Sequence, residues 1–215
     1  MTLGSPLQRI AMGMVIVIGT AMFPAHPSPS WAQYDALPDP VGWLLVLTGA
    51  VALARLDDDF VSVRWLAVVA GVVSVPMWVP QVHHVLNASG QWAASLPQIA
   101  FCLWLSRQIG VLATLQEPRD AYAAKRFGLL VWGFGAVAVL PVLAIGGGID
   151  ALVSTTLLVS TAVSVAFVYF LFRVHRRTWL GGPGPLLVQP SRRTDPAVES
   201  PADEPGTHEG RPPSS

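Results

Sequence analysis

The chain has 215 residues, of which 52% are hydrophobic and only 12% are charged, and its formal net charge is zero. Soluble domains carry about 25% charged residues, so a chain with half that share could not cover a water-exposed surface. The balanced charge also removes the electrostatic case for nucleic-acid binding. The composition therefore predicts an all-α integral membrane protein of one domain, whose first partner is the lipid bilayer.

The first apolar segment precedes a proline-rich stretch. Arg9 is the only charge before Asp35, and an apolar run from Ile10 to Phe23 follows it. A positive start and a short apolar centre before small residues are typical of a cleaved secretory signal peptide. A retained first helix over 8–23 fits the same residues, and we favour it because another apolar run follows at once. Both alternatives for residues 1–32 place Gln33 outside the cell.

The second apolar run begins at a carboxylate followed by a proline. Asp39 precedes Pro40, and no further charge occurs until Arg55. Aspartate accepts hydrogen bonds from the free N–H groups at a helix start, and proline suits the first turn. Asp39 is therefore predicted to cap a helix over 40–55. Gly42 has no side chain and is predicted to let another helix approach closely.

The residues around this helix start resemble a pattern in other membrane proteins. Residues 34–43 read Tyr-Asp-Ala-Leu-Pro-Asp-Pro-Val-Gly-Trp. The spacing of the Asp, the Pro-Asp pair, the Gly and the aromatic residue resembles the start of the second helix in small uncharacterised polytopic membrane proteins of bacteria. That resemblance implies a bacterial, transmembrane, multi-pass protein and brings no particular chemistry with it.

Four further apolar runs follow, each bounded by polar or charged residues. A helix needs about 20 residues to cross the hydrocarbon core of a bilayer, and these runs approach or reach that length. Residues 1–180 are predicted to form a six-helix transmembrane bundle, with helices over 8–23, 40–55, 65–82, 92–112, 127–145 and 151–173. Residues 181–215 are rich in Gly, Pro, Ser and charge, which predicts a disordered cytoplasmic tail.

The basic residues set the predicted orientation of these helices. With the N-terminus in the cytoplasm, all 13 Lys and Arg residues fall in segments on the inner side of the membrane. Basic residues are strongly favoured in cytoplasmic loops. The chain is therefore predicted to be a multi-pass protein of the cell inner (plasma) membrane, with both termini in the cytoplasm.

Six tryptophans are predicted to lie in two bands at the lipid headgroups, where the ring is apolar and the N–H is hydrated. The outer band would contain Trp43, Trp78 and Trp92, and the inner band Trp65, Trp104 and Trp179.

The outer side also gathers the side chains that could carry chemistry, namely Asp35, Asp39, His83, His84 and Asp150. Histidines and carboxylates together can bind zinc or another divalent metal, or can move protons. The alternative is that they are solvated residues at helix ends, where Asp39 and Asp150 meet the positive end of a helix dipole. No metalloprotease or cysteine-rich spacing accompanies them. They are candidate metal ligands only, and no catalytic residue and no cofactor are assigned.

Two charged features have simpler interpretations. Residues 57–59 are three consecutive aspartates, and a magnesium site there would need a second acidic cluster. They are instead predicted to form a solvated turn paired with Arg55 and Arg64. Arg107 is predicted to lie about one turn before a helix end, close enough for its side chain to reach the cytoplasmic surface.

Three features of the sequence concern the membrane interior. Gln98 lies deeper than Arg107 and is a candidate functional residue, with an interhelical hydrogen bond as its simpler role. Cys102 is predicted to be a small buried apolar residue. Prolines permit helix bends, which could open a vestibule on the outer side. Four of them fall in the middle or outer part of the third to fifth helices: Pro76, Pro80, Pro97 and Pro141.

Three functions remain open. The favoured one is a non-enzymatic membrane component that packs with itself, as a homo-oligomer, or with a membrane-protein partner, because the chain has no catalytic motif. The second is a small-solute or ion transporter-like protein, favoured by the prolines and Gln98, and a polar cavity past Gln98 would support it. The third is a membrane enzyme that uses the outer His and Asp residues, which would require His83 or His84 to lie beside a carboxylate.

Overall fold

The computed structural model describes residues 4–23, 34–35 and 37–184. The predicted small-residue end of a signal peptide, at residues 30–32, and most of the predicted tail, residues 185–215, lie outside the described residues. The all-α class is confirmed, since the described elements are helices apart from two strands of two residues each.

The described residues form seven α-helices, one of them short. These are α1 Pro6–Ile18, α2 Asp39–Ala54, α3 Val61–Met77, α4 Pro80–Val85, α5 Ala88–Leu115, α6 Ala121–Gly147 and α7 Asp150–Val174. Single 3-10 turns precede α3 at Asp58–Phe60 and follow α7 at Thr178–Leu180. The strands β1 Met22–Phe23 and β2 Tyr34–Asp35 pair in antiparallel register, with Met22 opposite Asp35.

Four helical segments are long and apolar enough to cross a membrane: Asp58–Met77, Ala88–Leu115, Ala121–Gly147 and Leu152–Val174. The remaining two apolar helices are shorter, with 13 residues in α1 and 16 in α2. At about 1.5 Å per residue they measure roughly 20 and 24 Å, against a hydrocarbon core of about 30 Å. The structure therefore has the helices of a membrane protein.

Two helix ends differ from the predicted ones because of glycine and proline. The helix predicted over 8–23 ends at Ile18, since Gly19 is extended, with φ −67° and ψ 141°. The helix predicted over 65–82 is interrupted between α3 and α4. Val79 is extended, with φ −79° and ψ 117°, because the residue before a proline avoids the helical conformation, and Pro80 then begins α4.

Two helices begin earlier than predicted because polar side chains cap them. The Asn87 side chain accepts a hydrogen bond of 2.8 Å from the Gly90 N–H at the start of α5. The Asp120 carboxylate accepts one of 3.2 Å from the Ala123 N–H at the start of α6. A side chain that satisfies these free N–H groups stabilises the first turn. Residues that were predicted to be loops are therefore helical.

Glycines bring α1 and α2 into close contact. A Cβ atom on Gly13 would lie 2.5 Å from the Gly42 carbonyl oxygen, and one on Gly42 would lie 2.8 Å from the Gly13 carbonyl oxygen. A Cβ on Gly49 would lie 2.6 Å from the Pro6 carbonyl oxygen. The close approach predicted at Gly42 is confirmed, since only hydrogen fits between the two backbones.

Tryptophans occupy more varied positions than the two predicted bands. Trp43 is only 3% exposed and meets Phe101 edge-on, with ring centroids 5.4 Å apart. Its prediction as a headgroup residue is wrong, because Gly71 leaves room for the indole inside the bundle. The Trp92 indole N–H donates to the Ala138 carbonyl oxygen at 3.1 Å and so joins α5 to α6. Trp65 is 58% exposed, as a headgroup position would require.

One end of the bundle, called the basic end below, combines the start of α1, the α2–α3 turn, the α5–α6 connection and the end of α7. The Arg177 guanidinium lies 2.9 Å from the Asp120 carboxylate, which joins α7 to the α5–α6 connection. A Cβ on Gly181 would touch the side chains of Leu56 and Pro6, so the chain after α7 folds back over α1 and α2.

The first residues of the predicted tail 181–215 belong to this end of the bundle. Leu180 is 1% exposed, and Gly181 follows it in a left-handed conformation with φ 71°. The Gly182 N–H donates to the Arg177 carbonyl oxygen at 2.9 Å, and the Gly184 N–H donates to the Arg176 carbonyl oxygen at 3.0 Å. The sequence predicts disorder for residues 181–184, but these residues are hydrogen-bonded to the end of the bundle.

Candidate functional site

A cavity of about 210 Å³ lies between α2, α3 and α5, towards the end of the bundle opposite the basic end. We call it the outer cavity. Its walls combine five polar side chains with small or apolar ones: Asp39, Trp43, Ala70, Val73, Ser74, Met77, Gln91, Ala94, Ser95 and Gln98.

Each helix contributes to the outer cavity through a single face. The α3 positions 70, 73, 74 and 77 and the α5 positions 91, 94, 95 and 98 have the same spacing of three and four residues. Residues at these spacings lie on one side of a helix. Positions 39 and 43 are four residues apart and also lie on one side of α2. The cavity is therefore built from regular helix faces and not from loops.

Three polar side chains of the cavity are oriented by hydrogen bonds within their own helix or its preceding turn. The hydroxyl of Ser74 donates to the Gly71 carbonyl oxygen at 2.7 Å, and that of Ser95 donates to the Trp92 carbonyl oxygen at 2.7 Å. The Gln91 amide donates to the Leu86 carbonyl oxygen at 3.3 Å. Each hydroxyl has used its one hydrogen and can still accept. The two serines therefore present acceptors to a ligand.

Gln98 is the cavity residue with the most unused hydrogen-bonding capacity. Its side chain is half-buried in α5, directly after Pro97. In the part of the chain that the structure describes, its amide forms no hydrogen bond, so the predicted interhelical bond is not found there. A glutamine amide offers two donors and one acceptor oxygen. Gln98 can therefore both donate to and accept from a solute.

Asp39 lines the same cavity, although not as the predicted helix cap. It is the first residue of α2, and Pro38 occupies the cap position in an extended conformation with φ −76° and ψ 103°. The cap prediction is wrong because the proline before Asp39 takes the non-helical position. In the first turn the Asp39 carboxylate still lies near the positive end of the helix dipole. It brings negative charge to the cavity.

The other four candidate residues are placed by their backbone alone. Asp35 lies in β2, His83 and His84 in α4, and Asp150 at the first position of α7, where the sequence predicts a helix start. Of these five candidates, Asp39 lines the outer cavity. Among the described residues, no group of three or more His, Cys, Asp or Glu could hold a metal ion. A metal site on this set stays a prediction.

In the described part of the chain, the aspartates at residues 57–59 do not form the ion pairs that the sequence predicts. Asp57 accepts a hydrogen bond of 2.9 Å from the Asp59 N–H, and the described residues show no ion pair from residues 57–59 to Arg55 or Arg64. The Arg64 guanidinium instead lies 5.2 Å from the centre of the Trp65 ring. Local capping and the adjacent ring thus replace the predicted ion pairs.

Arg107 lies deeper in its helix than predicted. Because α5 continues to Leu115, Arg107 is about two turns, or roughly 12 Å, from the helix end. Its guanidinium lies 5.0 Å from the centre of the Trp104 ring, one turn earlier in α5. A cation over an indole face is attracted by the ring electrons. Cys102 is 2% exposed, so its predicted burial is confirmed.

Gln91, Ser74 and Ser95 are the cavity residues that sequence reasoning missed. Gln91 was predicted to lie in a loop because the start of α5 was placed too late. The spacing of Gln91, Ser95 and Gln98 is itself a signal of one polar face on α5. Ser74 has no such signal, since its position opposite Gln98 depends on how α3 packs against α5.

Comparison with protein-family models, with curated proteins and with solved structures finds no match to this chain. Any function has to be inferred from the geometry of the described residues.

Proposed function

We propose that this chain is a non-enzymatic, six-span protein of the inner (plasma) membrane that binds a small polar solute from the outer side, in the manner of a small-solute transporter. The observation that carries the proposal is the outer cavity, in which Gln98 has unused donors and an acceptor beside the Ser74 and Ser95 hydroxyls. A few polar groups converging in a partly apolar recess are typical of small-molecule sites.

Hydrogen-bond energetics support a ligand at this place. A hydrogen bond within a protein contributes about 0.5–1.5 kcal/mol net. A solute that bonds to the half-buried Gln98 amide gains such a bond, and the bond is strengthened where apolar residues such as Met77 exclude water. A purely structural glutamine would more simply bond across the helix interface.

The size and charge of the outer cavity define the solute class. A volume of about 210 Å³ corresponds to roughly seven waters at about 30 Å³ each. The described lining contains Asp39 and no Lys or Arg. The solute is therefore small and rich in hydroxyl, amide or ammonium groups.

The charge distribution supports six membrane spans, with the basic end of the bundle on the cytoplasmic side. All 13 Lys and Arg residues belong to segments on that side in a six-span arrangement. The short helix α1 is followed by the extended Gly19 and by the strand β1 at Met22–Phe23, and each extended residue adds about 3.3 Å. A span through α1 and this extension is long enough for the bilayer.

A retained first helix is also part of the proposal. Leu7, Ile10 and Met14 of α1 are completely buried. Removing α1 would take these side chains out of the core and expose the α2 surface around Gly42 that packs against them. A structural role in the mature protein therefore suits these residues better than removal as a signal peptide.

The other two functions stay predictions. Packing with itself or a membrane-protein partner would use the apolar outer surface, which suits lipid equally well. A membrane enzyme would need the side chains of His83, His84, Asp35 and Asp150 to meet. Bacterial origin likewise rests on the resemblance of residues 34–43.

Thermal melting of the purified protein in nanodiscs tests the proposal. A panel of small amino acids, polyols, amides and alkylammonium ions is screened, and any solute that raises the melting temperature is titrated. Gln98→Leu removes the amide at similar size and should weaken the binding of that solute by roughly 2- to 10-fold, since a hydrogen bond contributes about 0.5–1.5 kcal/mol.

Gln108→Leu is the matched control, because Gln108 lies further along the same helix and does not line the outer cavity. It should leave the solute effect unchanged. A panel without any stabilising solute would contradict the proposal, as would a solute that stabilises Gln98→Leu as strongly as the parent protein.

A further inference from the structure

A second and larger cavity, of about 710 Å³, lies at the basic end. We call it the inner cavity. It is formed by the α5–α6 connection on one side and the end of α7 with its following turn on the other. The described residues that line it are Gln116, Glu117, Pro118, Arg119, Asp120, Ala121, Tyr122, Arg173, Val174, Arg176, Arg177, Thr178 and Trp179.

Four arginines and two carboxylates face this cavity, so its charge is positive. The Asp120 carboxylate is already used, since it lies 2.9 Å from the Arg177 guanidinium and also caps α6. Arg176 donates from its Nε to the Gly184 carbonyl oxygen at 2.9 Å. Two of the cavity's arginines are thus held in place by the protein itself.

The other two arginines have no such partner. Within residues 4–23, 34–35 and 37–184, neither Arg119 nor Arg173 forms an ion pair or a hydrogen bond through its side chain. Both are exposed. Glu117 is also exposed and offsets one of these charges at most. A surplus of guanidinium groups around a recess provides donors for an anion with several oxygens.

Aromatic residues place this cavity at the level of lipid headgroups. Tyr122 and Trp179 contribute to its wall. The Arg126 guanidinium lies 5.7 Å from the ring centres of both Tyr122 and Phe170. Amphipathic rings next to basic residues are typical of the boundary between bilayer and water. Basic recesses between transmembrane helices on the cytoplasmic side can bind anionic lipid headgroups.

We infer that the inner cavity binds a phosphate group through Arg119 and Arg173, with Arg176 and Arg177 as the fixed part of the site. Guanidinium groups match phosphate because their planar N–H donors can bond two oxygens at once. The phosphate can belong to an anionic phospholipid or to a soluble compound, and the chemistry at the arginines is the same. The site lies at the opposite end of the bundle from the outer cavity, so the two proposals can fail independently.

Native mass spectrometry of the full chain tests the lipid source. The protein is taken from nanodiscs of phosphatidylcholine with or without phosphatidylglycerol, and the retained lipid is counted. The double variant Arg119→Gln, Arg173→Gln should bind phosphatidylglycerol roughly 30-fold more weakly than the parent protein, given the usual contribution of each basic residue near an anionic surface.

A parallel arm tests a soluble source. Inorganic phosphate is titrated against protein in nanodiscs of phosphatidylcholine alone, and melting is followed. Stabilisation by phosphate that the double variant loses identifies a soluble ligand, whereas retained phosphatidylglycerol that phosphate does not displace identifies a lipid. Either result supports the site.

The control is the double variant Arg55→Gln, Arg64→Gln, which removes two charges from the same end of the bundle outside the inner cavity. It should bind like the parent protein. Equal binding by the parent and the Arg119, Arg173 variant would overturn the proposal, and so would an equal loss in the control. Asp120 is unchanged in every variant, so the cap of α6 is kept.

Discussion

At the scale of single residues, Asp120 organises the basic end of the bundle. Its carboxylate caps α6 through the Ala123 N–H at 3.2 Å and lies 2.9 Å from the Arg177 guanidinium. Its own N–H donates to the Ala113 carbonyl oxygen at 3.0 Å. One residue thus links the ends of α5, α6 and α7.

Asp120→Ala is expected to destabilise the protein by about 1 kcal/mol or more, because the cap and the ion pair are both lost. Asp120→Asn keeps an oxygen that can accept from the Ala123 N–H, so it should retain most of the stability. The measurement is thermal melting in detergent. Arg177→Gln is the control for the ion pair alone and should cost at most about 1 kcal/mol, since Arg177 is 49% exposed. Equal losses for the Ala and Asn variants would show that Asp120 is not a cap.

The comparison of Asp39 with Asp120 shows how far residue-level prediction reaches. Both aspartates lie at helix starts in the structure, and a capping rule applies equally to each. Pro38 decides the first case, because it takes the extended cap position and leaves Asp39 inside the first turn. In the second case no proline intervenes, and Asp120 caps the helix. Residue type alone did not separate these outcomes.

At the scale of elements, the contact between α1 and α2 is the one most sensitive to side-chain size. At both Gly13 and Gly42, a Cβ atom would lie too close to the carbonyl oxygen of the other glycine. Close backbone approach of this kind favours helix association in membranes. The pair fixes the position of α2 and, through Trp43, one wall of the outer cavity.

Gly42→Ala is expected to lower the melting temperature, because its Cβ would lie 2.8 Å from the Gly13 carbonyl oxygen and 2.7 Å from Val17. Overpacking of this kind costs about 1–3 kcal/mol. Gly128→Ala and Gly135→Ala are matched controls in α6, since a Cβ there would meet nothing within 4 Å. They should be neutral or stabilising, because alanine favours a helix over glycine. A Gly42→Ala protein as stable as these controls would contradict the close contact.

Helix positions could be predicted from apolar runs, and helix ends could not. Each of the six predicted helices overlaps one of the six longer described helices, because apolar composition persists through most of each helix. The errors fall where local chemistry decides: Gly19 ends α1, Val79 and Pro80 divide the predicted third helix, and Asp120 extends α6 into charged sequence.

At the scale of the whole molecule, the residues after α7 close the basic end. Leu180 is 1% exposed, and Gly181 lies against Leu56 and Pro6. The composition of 181–215 suggested a boundary at Gly181, but a Gly-rich sequence can also form tight turns that pack. The stable unit therefore extends past Leu180.

Truncation tests this boundary. A chain that ends at Gly184 should melt like the full chain. A chain that ends at Trp179 loses the buried Leu180 and should be less stable by roughly 1.5–3 kcal/mol, the usual contribution of a buried leucine. Identical melting of both truncated chains would show that residues 180–184 do not contribute to folding.

The candidate site was predictable only in part. Gln98 and the nearby Pro97 were recognisable in the sequence as polar and conformational exceptions within an apolar run. Ser74 and Trp43 join them only because α2, α3 and α5 pack side by side, and no pattern within one helix encodes that choice of neighbours. The large inner cavity was missed for the same reason, since its arginines come from two distant segments.

The central claim is that the outer cavity is a polar recess open to the outside of the cell, and cysteine accessibility tests it most directly. Ser95→Cys and the control Thr114→Cys are made separately on a Cys102→Ala background, and intact cells are treated with a membrane-impermeant maleimide. Ser95 lines the cavity, whereas Thr114 is exposed near the other end of α5. Ser95→Cys should be labelled in intact cells, and Thr114→Cys only after the membrane is permeabilised. Labelling of Thr114→Cys but not Ser95→Cys in intact cells would contradict the orientation, and failure to label Ser95→Cys even after permeabilisation would contradict an open cavity.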